Sequence, residues 1–181
     1  MSTTEILTAA PAGTWQLDPV HSTVGFEVEY LGGTFKGQFR EVEAKLVVDE
    51  AGASLEGIAK VASVDVKDEN LAAHLQSPDF FDAERYPELR FTAEQIDLDG
   101  DTIIAPGELT MKGVTKPVTV SGTILPPTTD AYGNERIGLR VSTKVDRTEF
   151  GISWNTPLPT GRKALSDEVT IIGELYFVKA A

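Results

Sequence analysis

Apolar and polar residues alternate with a period of two along most of this 181-residue chain. The first clear case is the segment 22–31, STVGFEVEYL, where Phe26 and Val28 fall on one face and Glu27 on the other. Such alternation is typical of an antiparallel strand with one buried face. The same pattern predicts further strands over Phe39–Val48, Leu55–Val64, Leu89–Leu98, Ile103–Met111, Val118–Leu125, Ile137–Val145 and Val169–Val178.

Turn-forming residues separate these predicted strands, and no alternation of strands with helices interrupts them. Such residues occur at Gly32-Gly33, Glu50-Ala51-Gly52, Asp99-Gly100-Asp101 and 126–134. The clearest hairpin lies in Pro106–Val120, where glycine and proline supply turn chemistry within Lys112–Pro117. Many short strands at this spacing predict an all-β barrel or sandwich.

One segment departs from the period of two. Residues 68–76, DENLAAHLQ, begin with two acidic residues and place alanine and leucine at helical spacing. Ser77-Pro78 follows, and the residue before a proline is disfavoured in the helical region. We therefore predict one short helix, followed by the loop 78–87. Phe80 and Phe81 lie in that loop, where exposure to water would be unfavourable for both.

Several predicted strands are apolar on both faces, as at Ile103-Ile104 and Ile171-Ile172. The interior of a closed barrel accounts for one apolar face. The second face requires a covering helix, loop or subunit, and our hypothesis is a homodimer that packs through the outer wall.

Composition places the chain among soluble globular proteins of one domain. Hydrophobic residues make up 41% and charged residues 24%, which is enough for a sizeable core. The formal net charge of −12 disfavours nucleic acid and anionic membrane surfaces as partners. The absence of cysteine excludes disulfides, thiolate nucleophiles and thiolate metal sites.

The first thirteen residues differ in composition from the rest of the chain. They are small, threonine-rich and end in Pro11-Ala12-Gly13, which predicts a flexible arm at 1–13 and a single domain over 14–181. The arm has no basic residue and no apolar run of signal-peptide length, and no later window resembles a membrane span. We therefore expect a cytoplasmic protein that is not embedded in a membrane.

Residues that could carry out catalysis or bind a metal form no convincing site. Asp18, His21 and Ser22 lie too close on one extended segment to converge on a reacting carbon as a triad. His21 therefore either hydrogen-bonds the start of the strand or makes a polar contact at a cavity mouth. His21 and His74 have no metal-ligand spacing, the acidic residues lack a calcium-loop pattern, and no glycine-rich phosphate loop occurs. We predict no metal and no tightly bound cofactor.

Aromatic residues concentrate on the predicted strands and on two long connections, where they either plug one end of a barrel or line an apolar cavity. An apolar chain needs no polar motif, because burial stabilises it by about 0.8 kcal/mol per CH₂. The predicted wall comprises Phe26, Val28, Tyr30, Phe35, Phe39, Phe80, Phe81, Phe91 and Trp154. The second connection, before the last strand, also carries Arg162 and Lys163, either for surface ion pairing or for an anionic head group.

Four segments of the chain form a recognisable series, namely 14–39, 74–91 (HLQSPDFFDAERYPELRF), 107–118 (GELTMKGVTKPV) and 147–152 (RTEFGI). In this order they resemble the YceI-like family of lipocalin-like polyisoprenoid-binding proteins, and the resemblance spans Thr14 to Phe177. The resemblance implies an eight-stranded antiparallel β-barrel with one short flanking helix, whose interior holds a lipid tail.

Two positions depart from the family pattern. Tyr30 stands where the family often has a histidine, and Leu71-Ala72 where it commonly has an Arg-Asp pair. If those polar groups hold a head group, this chain prefers a different head or a neutral ligand.

The leading hypothesis is non-catalytic carriage or sequestration of a long isoprenoid-type lipid, a quinone included. Candidate head-group contacts are His21, His74, Arg162 and Lys163. Two alternatives stay open. One is an enzyme acting on such a lipid with His21 or His74 as general base. The other is a stress-related barrel filled by its own side chains.

Overall fold

The structure is a computed structural model that describes residues 11–180, and it consists mainly of β-strands. The first ten residues of the predicted arm lie outside the described residues, and Gly13 already begins the first strand. The strands are β1 Gly13–Leu17, β2 Thr23–Tyr30, β3 Gly33–Phe39, β4 Val42–Asp49, β5 Gly52–Lys60, β6 Val64–Asp65, β7 Glu88–Asp99, β8 Thr102–Met111, β9 Val114–Thr129, β10 Glu135–Asp146 and β11 Leu165–Lys179. One α-helix, α1, covers Glu69–Gln76.

Eight of the strands close into an antiparallel barrel. Their order is β1-β4-β5-β7-β8-β9-β10-β11, and pairing of β1 with β11 completes the ring. β11 pairs with β1 at Phe177 and beyond, and with β2 between Leu165 and Glu174. β2, β3 and β6 therefore extend the sheet along residues 165–174, the N-terminal part of β11. The predicted eight-stranded lipocalin-like barrel with one flanking helix is confirmed.

The helix forms where the sequence predicted it, because its first turn is capped. Asp68 is the N-cap, and its Oδ1 accepts hydrogen bonds from the backbone N–H groups of Asn70 at 2.8 Å and Leu71 at 3.0 Å. Ser77 ends the helix with extended backbone angles ahead of Pro78. Leu75 is the buried residue of the helix, so α1 lies with one side against the barrel.

The hairpin in Pro106–Val120 has a shorter turn than the sequence suggested. Lys112 and Gly113 have φ values of 52° and 76°, and a two-residue turn of this kind fits the twist of the flanking strands. Val114 to Pro117 belong to β9, and Pro117 lies opposite Glu108 of β8. Lys112 therefore lies at the tip of the hairpin.

Some predicted boundaries are wrong for local reasons. The predicted strand Phe39–Val48 spans two strands, because the chain bends between β3 and β4. The predicted turn at 126–134 begins too early, since β9 continues to Thr129. The pairing of β9 with β10 shifts register between Arg136 and Gly138, which leaves Pro126 and Pro127 at an irregularity where no ladder N–H is required.

The interior of the barrel has two different halves. One half is packed solid around Trp15, Ile103, Leu139 and Phe177, each at most 1% exposed. The other half contains a second cluster that includes Phe26, Phe39, Phe80 and Phe150. We call the first half the closed end, and the second half contains the cavity described below.

An ion-pair network joins two loops at the closed end. Nη1 of Arg136 donates to Asp18 Oδ2 at 2.8 Å, and its Nε donates to Asp130 Oδ2 at 2.6 Å. The His21 ring also bonds Asp18, with Nδ1 at 2.7 Å. Arg136 is the main cause that lowers the pKa of Asp18 to about 2, and it also lowers the pKa of Asp130.

We predict that replacing Arg136 by methionine makes the barrel less stable in a pH-dependent way. A lowered carboxyl pKa stabilises the fold above the unfolded value and loses that effect as the pH falls through the folded value. The free energy of unfolding should therefore drop at pH 7, and the difference should shrink between pH 4 and pH 2. Urea unfolding measures it, with Arg140→Met as control, and a pH-independent difference would contradict the account.

The outer wall keeps the second apolar face that the sequence indicated. Ile104 is 43% exposed, and Leu125 and Ile172 are half-buried. The homodimer through this wall stays a prediction.

Candidate functional site

A cavity of about 390 Å³ occupies the half of the barrel away from Trp15. This volume is within the range of protein sites for small apolar ligands, about 300–1,000 Å³. Its floor includes Leu17, Leu55 and Leu175, and its sides come from the barrel strands. Two segments form the rest of its wall, the helical cover (residues 69–87) and the β10–β11 connection (residues 147–164).

The structure places all nine residues of the predicted wall on this cavity. Phe26, Val28, Phe39 and Phe80 are buried, whereas Tyr30 is 46% exposed. The other residues are half-buried, namely Phe35, Phe81, Phe91 and Trp154. Their contact with a ligand stays a prediction, but all nine line one common cavity.

The alternation in β2 explains how this wall forms. Phe26, Val28 and Tyr30 face inward from β2, while Glu27 pairs outward with Lys36 at 3.4 Å. Gly37 lies opposite Phe26, and a Cβ atom there would approach the Phe26 ring to 2.5 Å. Glycine in β3 therefore makes room for the ring that fills this part of the wall.

Aromatic rings pack against one another across the cavity. The Phe26 ring lies 5.8 Å from Phe39, 6.2 Å from Phe35 and 6.2 Å from Phe81, measured between ring centroids. Phe39 and Phe81 meet edge to face at 5.7 Å. Such tilted and edge-on pairs add about 0.5–1.5 kcal/mol each beyond area burial. The contacts of Phe81 with Phe26 and Phe39 therefore help to hold the helical cover against the barrel.

The helical cover and the β10–β11 connection meet at an aromatic contact. The His74 ring is edge-on to Phe80 and to Trp154, each at 4.9 Å, and its Nε2 lies 3.1 Å from Asp79 Oδ2. Lys112 at the hairpin tip donates to the carbonyl of Pro78 at 2.5 Å and, at 3.4 Å, to the carbonyl of Gly151. The hairpin tip thus links both covering segments.

The four predicted head-group residues are in different places. His74 lies on the cavity wall. His21 does not, because it bonds Asp18 at the closed end and its side chain is 66% exposed. Lys163 pairs with Asp167 at 3.0 Å, and Arg162 is exposed in the same connection. Neither Arg162 nor Lys163 lies on the wall, and head-group contact stays a prediction for all four residues.

Sequence reasoning missed Arg147, the most buried of the charged side chains that line the cavity in the described part of the chain. Its side chain is 4% exposed and lies on the cavity wall. Its guanidinium donates to four backbone carbonyls, those of Ser166, Ile152, Trp154 and Leu165. Burial lowers the pKa of Arg147, with Asp167 and Asp146 acting in the opposite direction. An arginine beside a threonine and a glutamate gives no sequence signal of such burial.

Apart from Val28, the aliphatic part of the wall was also missed in the sequence. It includes Leu71, Leu75, Leu109, Met111, Ile152 and Leu165. These positions alternate or recur at helical spacing like any core residue, so the sequence cannot tell a lining residue from a packed one.

Across residues 11–180, no group of three or more histidine, aspartate or glutamate side chains converges as metal ligands. None of the helices in the described part of the chain is long and apolar enough to cross a membrane. What the cavity offers is an apolar wall with polar groups, His74 and Arg147, beside its two covering segments.

Comparison with known proteins identifies relatives of this chain. Residues 15–177 match the model of the YceI-like domain. Protein YceI of Escherichia coli is 30% identical over 136 residues, which cover 73% of this chain and 71% of that protein.

Solved structures share the fold. Burkholderia cenocepacia BcnA superposes with a TM-score of 0.75 at 24% identity, over 88% of this chain and 98% of that one. A polyisoprenoid binding domain from Saccharophagus degradans, implicated in plant cell wall breakdown, has a TM-score of 0.70 at 12% identity, over 92% and 98%. The match of residues 15–177 to the domain model, the relative at 30% identity and the shared barrel fold together show that this chain belongs to the YceI-like family.

Proposed function

We propose that this protein binds a long apolar isoprenoid-type lipid inside the barrel and carries or sequesters it without chemical change. The observation that carries the proposal is the cavity, whose wall is almost wholly aliphatic and aromatic and is formed by barrel strands and two covering segments. A concave apolar surface favours a ligand that removes its own apolar surface from water.

Two further observations support a lipid ligand in general. The chain belongs to the YceI-like family, and a structural neighbour carries the description of a polyisoprenoid binding domain. The isoprenoid identity of the ligand and its carriage belong to our proposal.

Titration with prenols of increasing length tests the proposal. Geraniol, farnesol and geranylgeraniol share a hydroxyl head and differ only in tail. Each added isoprene unit should tighten binding by at least about tenfold until the tail fills the cavity, because each buried CH₂ stabilises the complex. Affinities that do not depend on tail length, or no binding of any prenol, would refute the proposal.

A second candidate function, acid–base chemistry on a bound lipid, is favoured by one contact. His74 lies on the cavity wall with its Nε2 3.1 Å from Asp79 Oδ2, an arrangement that can orient an imidazole as a general base. Asp79 is 56% exposed, however, and the His74 ring makes T-shaped contacts with Phe80 and Trp154, which suits a structural role in the cover equally well.

We predict that neither the wild type nor His74→Ala changes a bound lipid chemically. Farnesol is incubated for a prolonged time with each of the two proteins, and mass spectrometry then detects any product formed from it. A product formed by the wild type and lost in the variant would replace carriage by catalysis.

A further inference from the structure

The cavity wall contains few charged side chains, and they differ in burial. Glu43 and Arg90 both belong to the wall, but Glu43 is exposed and the Arg90 side chain is 45% exposed. Arg90 also pairs with Glu56 and Glu88 on the outside of the barrel. Arg147, whose side chain is 4% exposed, therefore brings the one buried charge to this wall among the described residues.

The partners of Arg147 do not use all of its hydrogen-bonding capacity. Nε donates to Ser166 O at 2.9 Å, and Nη1 donates to Ile152 O and Trp154 O, both at 2.9 Å. Nη2 has only a long contact with Leu165 O at 3.5 Å. A guanidinium has five N–H groups, so one on Nη2 has no acceptor within hydrogen-bonding distance in residues 11–180.

The charge of Arg147 is also incompletely neutralised. The nearest carboxylate is that of Asp167, whose Oδ1 lies 3.9 Å from Nη2, beyond hydrogen-bonding distance. Asp167 is 39% exposed and already accepts from Lys163 at 3.0 Å and 3.2 Å. Carbonyl dipoles partly compensate the buried cation, and the lowered pKa of Arg147 reflects the remaining cost of burial.

We propose that Nη2 of Arg147 holds the ligand's head group, and that the cavity selects lipids whose apolar tail ends in an anionic oxygen group, a carboxylate or a phosphate. This inference rests on the proposed function and specifies its ligand further. A hydrogen bond between two charged groups in a buried site is about twice as strong as a neutral one. The same contact would satisfy the free N–H and neutralise the buried charge.

Three ligands with one tail test the inference, namely farnesol, farnesoic acid and farnesyl monophosphate, titrated by calorimetry at pH 7. The wild type should bind at least one of the two acids at least about tenfold more tightly than the alcohol. The order of the two acids then tells a carboxylate head from a phosphate head. Binding of the alcohol as tightly as both acids would overturn the inference and leave the proposed function intact.

Substitutions test whether Arg147 causes the preference for an acidic head group. Arg147→Met should reduce the preference for the acid to less than about twofold and still bind farnesol, whereas Arg147→Lys should keep part of the preference. Arg140→Met, at an exposed position outside the cavity wall, should behave as the wild type. A preference that persists in Arg147→Met would refute the role of Arg147. If Arg147→Met does not fold, the comparison of the three ligands on the wild type and the preference of Arg147→Lys test the inference instead. If none of the three ligands binds the wild type, the proposed function fails as well.

Discussion

Phe26→Asp should abolish lipid retention, whereas Glu27→Lys, one residue away, should leave it unchanged. Phe26 is 8% exposed and faces the cavity, where its ring contacts Phe35, Phe39 and Phe81. A carboxylate at this position has no partner in an apolar wall, and burying it costs several kcal/mol. Glu27 faces outward and pairs only with an exposed lysine, so reversing its charge changes a contact worth less than about 1 kcal/mol.

The measurement is binding of farnesol or a longer prenol by both variants, with thermal unfolding recorded alongside. Phe26→Asp either loses binding in a folded barrel or lowers the melting temperature sharply, since both follow from a buried, unpaired charge. Full binding by both variants would show that the inward face of β2 has been misassigned.

The second large effect separates the two halves of the barrel through its two tryptophans. Trp15 is fully buried at the closed end, where it packs with Ile103, Leu139 and Phe177. Trp154 is half-buried on the cavity wall beside His74 and Phe80. We expect Trp15→Ala to reduce the free energy of unfolding by about 3–5 kcal/mol, because it removes a large side chain from solid packing.

Trp154→Ala should reduce ligand affinity more than it reduces the stability of the barrel. It enlarges a space that already exists, so the cost in stability should be about 1 kcal/mol, while ligand affinity falls because part of the wall is lost. For a barrel of this size, the Trp15→Ala cost corresponds to a melting temperature lower by about 10 °C. Equal losses of stability in the two variants would contradict the division into a solid closed end and a hollow end.

The alternating pattern was enough to predict most of the fold. Alternation and turn residues identified the strands from β7 to β11, and the acidic start at Asp68 identified α1. No comparable signal marks β1 and β6, because their five and two residues are too few for alternation to be recognised. Proline at 126–127 looked like a turn because an irregularity in strand pairing cannot be read from one strand alone.

The candidate site was predictable only in its aromatic part. Aromatic residues in a loop, such as Phe80 and Phe81, are unexpected in water and therefore indicate a covered space. Arg147 and the aliphatic wall residues carry no such signal, since burial depends on which segments meet in three dimensions. The same limit explains His21, whose neighbours in sequence resemble a site although its side chain is exposed at the closed end.

Native mass spectrometry of the protein freshly purified from its own host tests the central claim most directly. We predict a discrete adduct at one lipid per barrel, released by organic solvent and matching a prenyl lipid or quinone in mass. A bare protein mass after gentle purification, together with no uptake of added prenols, would contradict lipid carriage and indicate that the cavity serves no ligand of this class.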